Sequence, residues 1–402
     1  MMSKSNEANK EKKEKQMKKI PDTLSKELTL LEKEEIYIYN SVYYIGQYEN
    51  KINKSLTQNE LLENSKSFTE NNKYILIQND HIEYRYEILS YLGKGSYGNV
   101  IKVLDHKYNI NKAIKMFNNF SNIDEQKNEA IFQNELDILY ILNKRSDEKE
   151  LITLFYYDAK WRYHNYIVFK MYGDNLYKSK KTHNCIIDDK IKIIRNIFEA
   201  LEFLKSSNPI IIHGDLKPEN ILFKDNVLNT YEVVLGDFGL SCILHNDYID
   251  NQPLIQTRWY RSPEIIYDIP FNEKIDIWSV GCIIYELLKH KPLFPSKHDD
   301  EQILHIHYIL GCPSFEYIES YDNIKKNYDR KYKPYIVRTR KEKLLMPRMG
   351  SYRLDKFFEY NRNSYSERIK YHLIRLVYMC LDYNIKTRIN SKDALEFLDN
   401  YM

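Results

Sequence analysis

Between His213 and Asn220 the chain reads HGDLKPEN, and Asp237-Phe238-Gly239 follows shortly after. These residues supply the groups that moving a phosphoryl group requires. Asp215 can take the proton of an attacking hydroxyl, and Asn220 and Asp237 present hard oxygen atoms that suit Mg²⁺. Lys217 adds a cation near the same phosphate. A chance polar loop between the apolar runs Ile210-Ile211-Ile212 and Ile221-Leu222 would account for one such residue, and an Asp capping its own backbone would account for Asp215 alone. Neither explains Lys217 and Asn220 at their offsets with a second Asp behind them.

Upstream, LGKGSYGNV places Gly93, Gly95 and Gly98 where backbone amides can approach phosphate oxygens without side-chain obstruction. GxGxxG alone is weak. A dinucleotide site needs the motif to run from strand into helix, whereas Val100-Ile101-Lys102-Val103 continues as strand. Lys115, in AIK, then stands where a lysine can grip α- and β-phosphates, and Glu135 on the next helix can pair with it. Glu129 is the rival acid, but NELDILYIL around Glu135 fits the helical spacing better.

The elements that must hold these groups are legible as periodicities. Alternation at Tyr86–Leu92 and Asn99–Val103 predicts a strand–loop–strand hairpin around the glycines, and Ala113–Phe117 a third strand. Residues 124–142 show helical spacing, with Ile131, Glu135, Ile138, Leu139 and Leu142 on related faces, and short strands are expected around Ile152–Phe155 and Tyr166–Phe169. Beyond Met171 the chain reads mainly helical. Ile194, Ile197, Phe198, Leu201 and Leu204 form a stripe leading into the catalytic segment, and Ile275–Leu288, apolar on nearly every face, belongs in a core. Residues 1 to about 35, rich in Lys, Glu, Ser and Asn, read as a solvated tail, and Ile36–Tyr48 as a stretch able to pack on the domain behind it.

With 402 residues the chain is long enough for two or three compact units. The net charge of +3, with both signs interspersed, gives no reason to propose nucleic acid. Five scattered cysteines without a CxxC pair argue against a disulfide framework or a zinc site and fit a reducing compartment. The charged N-terminus lacks an apolar signal core, and no run approaches a membrane span, so a cytoplasmic or nuclear location is expected.

The order HxDxKxxN then DFG, behind the glycine loop and Lys115, resembles the eukaryotic protein kinases. TRWYRSPE, with a long segment before Arg388, is similar to the CMGC group of cyclin-dependent and mitogen-activated kinases. NDHIEYRYEILSYLGKGSYGNVIKVLDHK, DNLY, IIIHGDLKPENIL and DFGLSC followed by IQTR resemble the dual-specificity tyrosine-regulated kinases (DYRK family), from about Lys73 to the C-terminus. SR-protein kinases share the IQTR spelling and are the nearest rival.

The resemblance implies a bilobal α+β fold, with a small antiparallel sheet lobe carrying one helix and a larger, mainly helical lobe. Residues 1–72 would be a charged, partly disordered extension, 73–170 the small lobe with an upstream brace at Asp80 and His81, and 171–402 the large lobe with the activation segment and a CMGC-type insert. ATP would lie between the lobes against Leu92, Gly93, Lys94, Gly95, Ser96, Tyr97 and Gly98, with Val100, Ala113, Lys115, Glu135 and Leu222 completing its site. Phe169 would be the gatekeeper and Lys170 to Tyr172, Met171 included, the hinge; Lys170 stands where the family usually has an acid. Asp215 and Lys217 would be catalytic, Asn220 and Asp237 would hold Mg²⁺, and Thr257 would brace Asp215. Arg261 matches the group arginine that shapes the substrate loop, Glu264 and Arg388 a buried ion pair, and Asp276 an organiser of the catalytic loop.

Two departures bear on regulation. The family's activation tyrosines are replaced by Gln252 and Leu254, and Gly214 stands where many kinases carry an Arg that binds a loop phosphate. Constitutive activity follows as an expectation, with Tyr248 one candidate for modification among the chain's 36 tyrosines. The expected enzyme is a monomeric serine/threonine protein kinase acting on proteins; the alternative is a pseudokinase scaffold.

Overall fold

The computed structural model describes residues 22–63, 68–70, 73–94, 97–118, 125–145, 150–179, 185–227, 230–249, 255–327 and 364–402. Gly95, Ser96, Gln252 and Leu254 lie outside them, as do residues 1–21 and 328–363. The chain divides into two units, Met1–Gln133 with Phe155–Met171, and Asn134–Leu154 with Tyr172–Met402. The expected α+β class holds, one unit being built on an antiparallel sheet and the other mainly on helices.

In the first unit, six antiparallel strands run β1 His81–Ile82, β2 Tyr86–Lys94, β3 Gly98–Asp105, β4 Ile110–Phe117, β5 Phe155–Trp161 and β6 His164–Lys170, in the order β1-β2-β3-β4-β6-β5. β3 alternates between buried and half-buried residues, as a half-covered sheet requires. The strand expected at Ile152–Phe155 starts at its last residue. Ile152 instead bridges Leu235 in parallel within the second unit, while the Arg162-Tyr163 turn, with both residues at positive φ (45° and 70°), closes the β5–β6 hairpin. That turn carries neither Gly nor Asn, so the sequence gives no warning of it.

Residues 28–35 depart from the tail expectation, whereas Ile36 packs as expected of the stretch it opens. Thr29 and Glu32 form a reciprocal capping box at the start of helix α1, Leu30–Glu35, and Leu28, Leu31 and Ile36 join the core of the sheet unit. Glu32 is buried, so its charge needs partners. Lys51 Nζ donates to its Oε2 at 2.7 Å, while His81 Nε2 and Arg162 Nη2 lie 2.8 and 3.4 Å from its Oε1. Asp80 fixes the other side of His81 by accepting its backbone N–H at 2.8 Å.

Burial works against ionisation of Glu32, but the hydrogen bond and charge of His81, together with Lys51, outweigh it and hold the carboxyl well below its usual range. A depressed folded pKa stabilises above the unfolded value of 4.5, and the effect is lost as pH falls towards the folded one. Glu32→Gln is therefore expected to cost roughly 2 kcal/mol at pH 7. The gap between its melting temperature and that of the parent chain should narrow steadily as melts are run below pH 4.5.

In the second unit, helix α3 (Ile187–Lys205) buries Ile193, Ile194, Ile197, Phe198, Leu201 and Leu204, confirming the stripe. It leads into strand β7, Ile210–Ile212. After the short helix α4 (Pro263–Tyr267), helix α5 (Lys274–Lys289) is buried on nearly every face and forms the core element expected of that run. Helices α6 (Asp299–Leu310), α7 (Tyr365–Cys380) and α8 (Ser391–Tyr401) complete the unit, and helix α2 (Glu125–Asn143) contributes its C-terminal half. The five cysteines are free thiols, and among the described residues no helix is long and apolar enough to cross a membrane.

Candidate active site

Two short antiparallel pairs frame the HGDLKPEN loop. Strand β7 leads into it and pairs with β10 (Cys242–Leu244); β8 (Ile221–Phe223) leaves it and pairs with β9 (Val233–Leu235), which delivers Gly236-Asp237-Phe238. Gly236 N–H donates to Asn220 O at 2.9 Å, tying the end of the loop to the start of the DFG segment.

The loop hangs from helix α5. Asp276, 1% exposed, accepts His213 N–H on Oδ2 at 2.7 Å and Gly214 N–H on Oδ1 at 3.0 Å. Burial pushes its carboxyl up to about 7, against the pull of those two donors. His213 is buried as well, and burial lowers its pKa, which favours the neutral ring. Its Nδ1 accepts Asp215 N–H, which assigns the proton to Nε2, within 3.1 Å of Gly236 O. Gly214 has φ +72°, and a Cβ there would lie 2.6 Å from Leu240 O. Glycine is thus required twice over, by conformation and by the close approach of the segment after DFG.

Asp215 is 2% exposed, and both its oxygens are held. Oδ1 accepts Thr257 N–H at 3.0 Å and its hydroxyl at 2.6 Å; Oδ2 accepts Lys217 Nζ at 2.6 Å and Asn220 Nδ2 at 3.3 Å. Lys217 Nζ also donates to Thr257 Oγ1 at 3.1 Å. Asn220 Nδ2 donates in addition to Asp215 O at 2.9 Å, so its amide oxygen is the atom left to present outward. Asp237 has φ +62°, a strained backbone for a non-glycine residue of the kind that gathers at functional sites. An amide oxygen and a carboxylate make a hard donor set that fits a small dication.

Beyond Thr257, Arg261 Nε and Nη2 donate to Gln256 O at 3.2 and 2.9 Å. Its Nη1 and Arg258 Nε both reach Asp299 Oδ1. Glu264 and Arg388 form a two-point ion pair with side-chain exposures of 1% and 0%.

In the sheet unit, β2 and β3 form the expected hairpin, with irregularities at Ile88/Ser90 and Tyr91/Gly93. Leu92, Tyr97 and Val100 are half-buried, and Gly93 and Lys94 pair with Val100 and Asn99. Gly98 is needed for packing, since a Cβ would meet Met116 O at 2.3 Å. Lys115 is 3% exposed and faces Val100 across the ladder, with its Nζ 5.3 Å from the Phe117 ring centroid. Ala113 pairs with Phe169, and Met171 is half-buried. In the helical unit, Glu135 is 1% exposed and Leu222 pairs with Val234.

The hydrogen bonds thus gather Asp215, Lys217, Asn220 and Thr257. Sequence reasoning missed two contributors. Ser241 Oγ donates to His213 O at 2.7 Å, and Gln256 is wired into several segments at once. Neither residue type, nor its spacing, marks it out in the sequence.

A family model described as protein kinase domain matches residues 86–398. The dual specificity tyrosine-phosphorylation-regulated kinase 2 of Drosophila melanogaster is 38% identical over 292 residues, covering 71% of this chain and 38% of that protein. The human dual specificity tyrosine-phosphorylation-regulated kinase 4 is 33% identical, with 80% of this chain and 60% of the relative covered. The serine/threonine-protein kinase ppk5 of Schizosaccharomyces pombe is 34% identical, with 80% and 37% covered. The chain therefore spans less than two thirds of the length of these curated relatives.

Proposed function

The chain belongs to the protein kinases, and within them to the dual-specificity tyrosine-phosphorylation-regulated family, and on that footing we propose that it transfers the γ-phosphoryl group of ATP to serine or threonine hydroxyls of proteins. The observation that carries this reading is the bracing of Asp215 on both oxygens within a loop suspended from Asp276.

Asp215 orients the acceptor hydroxyl and takes its proton as the new phosphate ester bond forms and the bond to ADP breaks. Lys217, close to Asp215, offsets charge on the transferring group, and Thr257 keeps both side chains in place. Asn220 and Asp237 would hold Mg²⁺, whose charge neutralises that of the phosphate oxygens. Lys115 grips the α- and β-phosphates, and the glycine hairpin lays its amides along them. Phe169 and Met171 border the adenine, with Leu92, Val100 and Ala113 as the apolar wall that the sheet unit supplies. Each residue type is competent for its step, which tells against a scaffold that only binds partners.

The acceptor is best read as Ser or Thr followed by proline. Arg261 occupies the Gln256 carbonyl, so a substrate N–H arriving there finds no acceptor, and proline has no N–H to lose. We infer further that the enzyme works without a loop phosphate, as a monomer, in the cytoplasm or nucleus. The first of these rests on Gly214, whose missing side chain lets the Leu240 backbone close on the loop.

The test uses the purified chain with γ-labelled ATP, Mg²⁺ and a basic protein acceptor, followed by phosphoamino-acid analysis. Label on serine or threonine is expected. A chain whose melting temperature rises with ATP but which transfers no label would be a binding scaffold instead.

A further inference from the structure

Gln256 is 3% exposed and sits at φ +64°, a left-handed backbone that a residue with a Cβ adopts only under constraint. Its four polar atoms are all committed. The backbone N–H donates to Gly214 O at 2.8 Å, reaching the catalytic loop. The side-chain Nε2 donates to Ile275 O at 3.0 Å and Ser279 Oγ at 2.9 Å, both on helix α5. Oε1 accepts Ser262 N–H at 2.9 Å, and the carbonyl is the one held by Arg261. Ser279 Oγ in turn donates to Tyr260 O at 2.8 Å, so the far side of the same turn is fixed to the same helix.

We propose that the Gln256 side chain is a specificity-determining positioning residue: by anchoring to helix α5 and Ser262 it locks the left-handed peptide whose carbonyl Arg261 captures, and so sets the preference for proline after the acceptor. The proposal rests on the proline reading given above. Arg261 can hold that carbonyl only while it points towards the guanidinium, and the peptide on its own would relax to negative φ. The three side-chain hydrogen bonds of Gln256 oppose that relaxation. An apolar side chain of equal length would fill the space and leave Ser262 N–H and Ile275 O without their partner. Once the peptide relaxes, its carbonyl becomes available to a substrate N–H, and residues other than proline are accepted.

The experiment compares kcat/KM of the full chain and of Gln256→Met on peptides identical except for Ser-Pro or Ser-Ala. The Ser-Pro to Ser-Ala ratio is expected to fall at least about fivefold in the variant, mainly through a gain on Ser-Ala. A purely structural role would lower both peptides together and leave the ratio unchanged, and that outcome overturns the proposal while leaving the proline reading intact. A parent chain with a ratio near one overturns the proline reading, and this proposal with it. Should Gln256→Met not fold, Ser279→Ala decides the matter, since it withdraws one of the two acceptors of the Gln256 amide. Its ratio must fall at least about twofold, and an unchanged ratio overturns the proposal.

Discussion

Replacing Asp215 by Asn is expected to lower kcat by about a thousandfold, within the 10²–10⁴ range typical of a lost general base, while the rise in melting temperature on adding ATP and Mg²⁺ stays as in the parent chain. Asparagine keeps the size of the side chain and one oxygen, so Thr257 N–H and hydroxyl retain an acceptor. What changes is the second oxygen, now an NH₂ facing Lys217 Nζ, which lay 2.6 Å from it. The loop should keep its place on Asp276, and nucleotide binding should survive, because Lys115 and the glycine hairpin are untouched. Steady-state kinetics on a peptide acceptor, with the thermal shift measured on the same preparation, checks both halves. Since Asp215, Lys217 and Thr257 share hydrogen bonds, the effects of Asp215→Asn and Lys217→Ala should fall well short of additive.

Truncating Arg388 to Ala is expected to cost roughly 3–5 kcal/mol of stability, because it leaves Glu264 as an uncompensated buried carboxylate. Two bonds at 2.7 and 3.2 Å join the guanidinium to that carboxylate. Arg388 also donates from Nε to Asp382 O at 2.9 Å and from Nη1 to Lys274 O at 3.0 Å, and lies over Trp278. The variant therefore loses the charge partner together with several backbone contacts, and its melting temperature should drop by about 10 °C. Arg388→Met combined with Glu264→Met should recover part of the loss, since apolar replacements of a buried pair remove the stranded charge. Urea unfolding of the three proteins measures this; a drop under about 1 kcal/mol for Arg388→Ala would mean that Glu264 has found another partner.

How much of this was legible in the sequence depended on how far apart the cooperating residues stand. Asp215, Lys217 and Asn220 could be read together because one short loop carries all three. Strands β2, β3, β4 and β6 followed from alternation, and helices α3 and α5 from their apolar faces. The packing of residues 28–35 was hidden because a Lys- and Glu-rich composition suggested solvent. Glu32 is accommodated through Lys51, His81 and Arg162, which stand 19, 49 and 130 residues away. Gln256 was hidden for the same reason. Its role comes from the fold bringing helix α5, Ser262 and Gly214 around one amide side chain and its peptide, not from any motif.

Gln252 and Leu254, outside the described residues and standing where the family resemblance expects activation tyrosines, and the glycine at 214 bear on one question: what holds the catalytic loop in register. The contacts at hand are Thr257 to Asp215, Gln256 to Gly214, and the Leu240 carbonyl against Gly214. All are made by backbone, amide, hydroxyl and carboxylate groups of this chain. The most direct test is the initial rate of label transfer from γ-labelled ATP to a Ser-Pro peptide by chain that has been treated with phosphatase and verified by mass to be unmodified. Full turnover from the first time point, with no lag, is the predicted result. A rate that starts at the Asp215→Asn background and rises only as the chain labels itself would contradict the account.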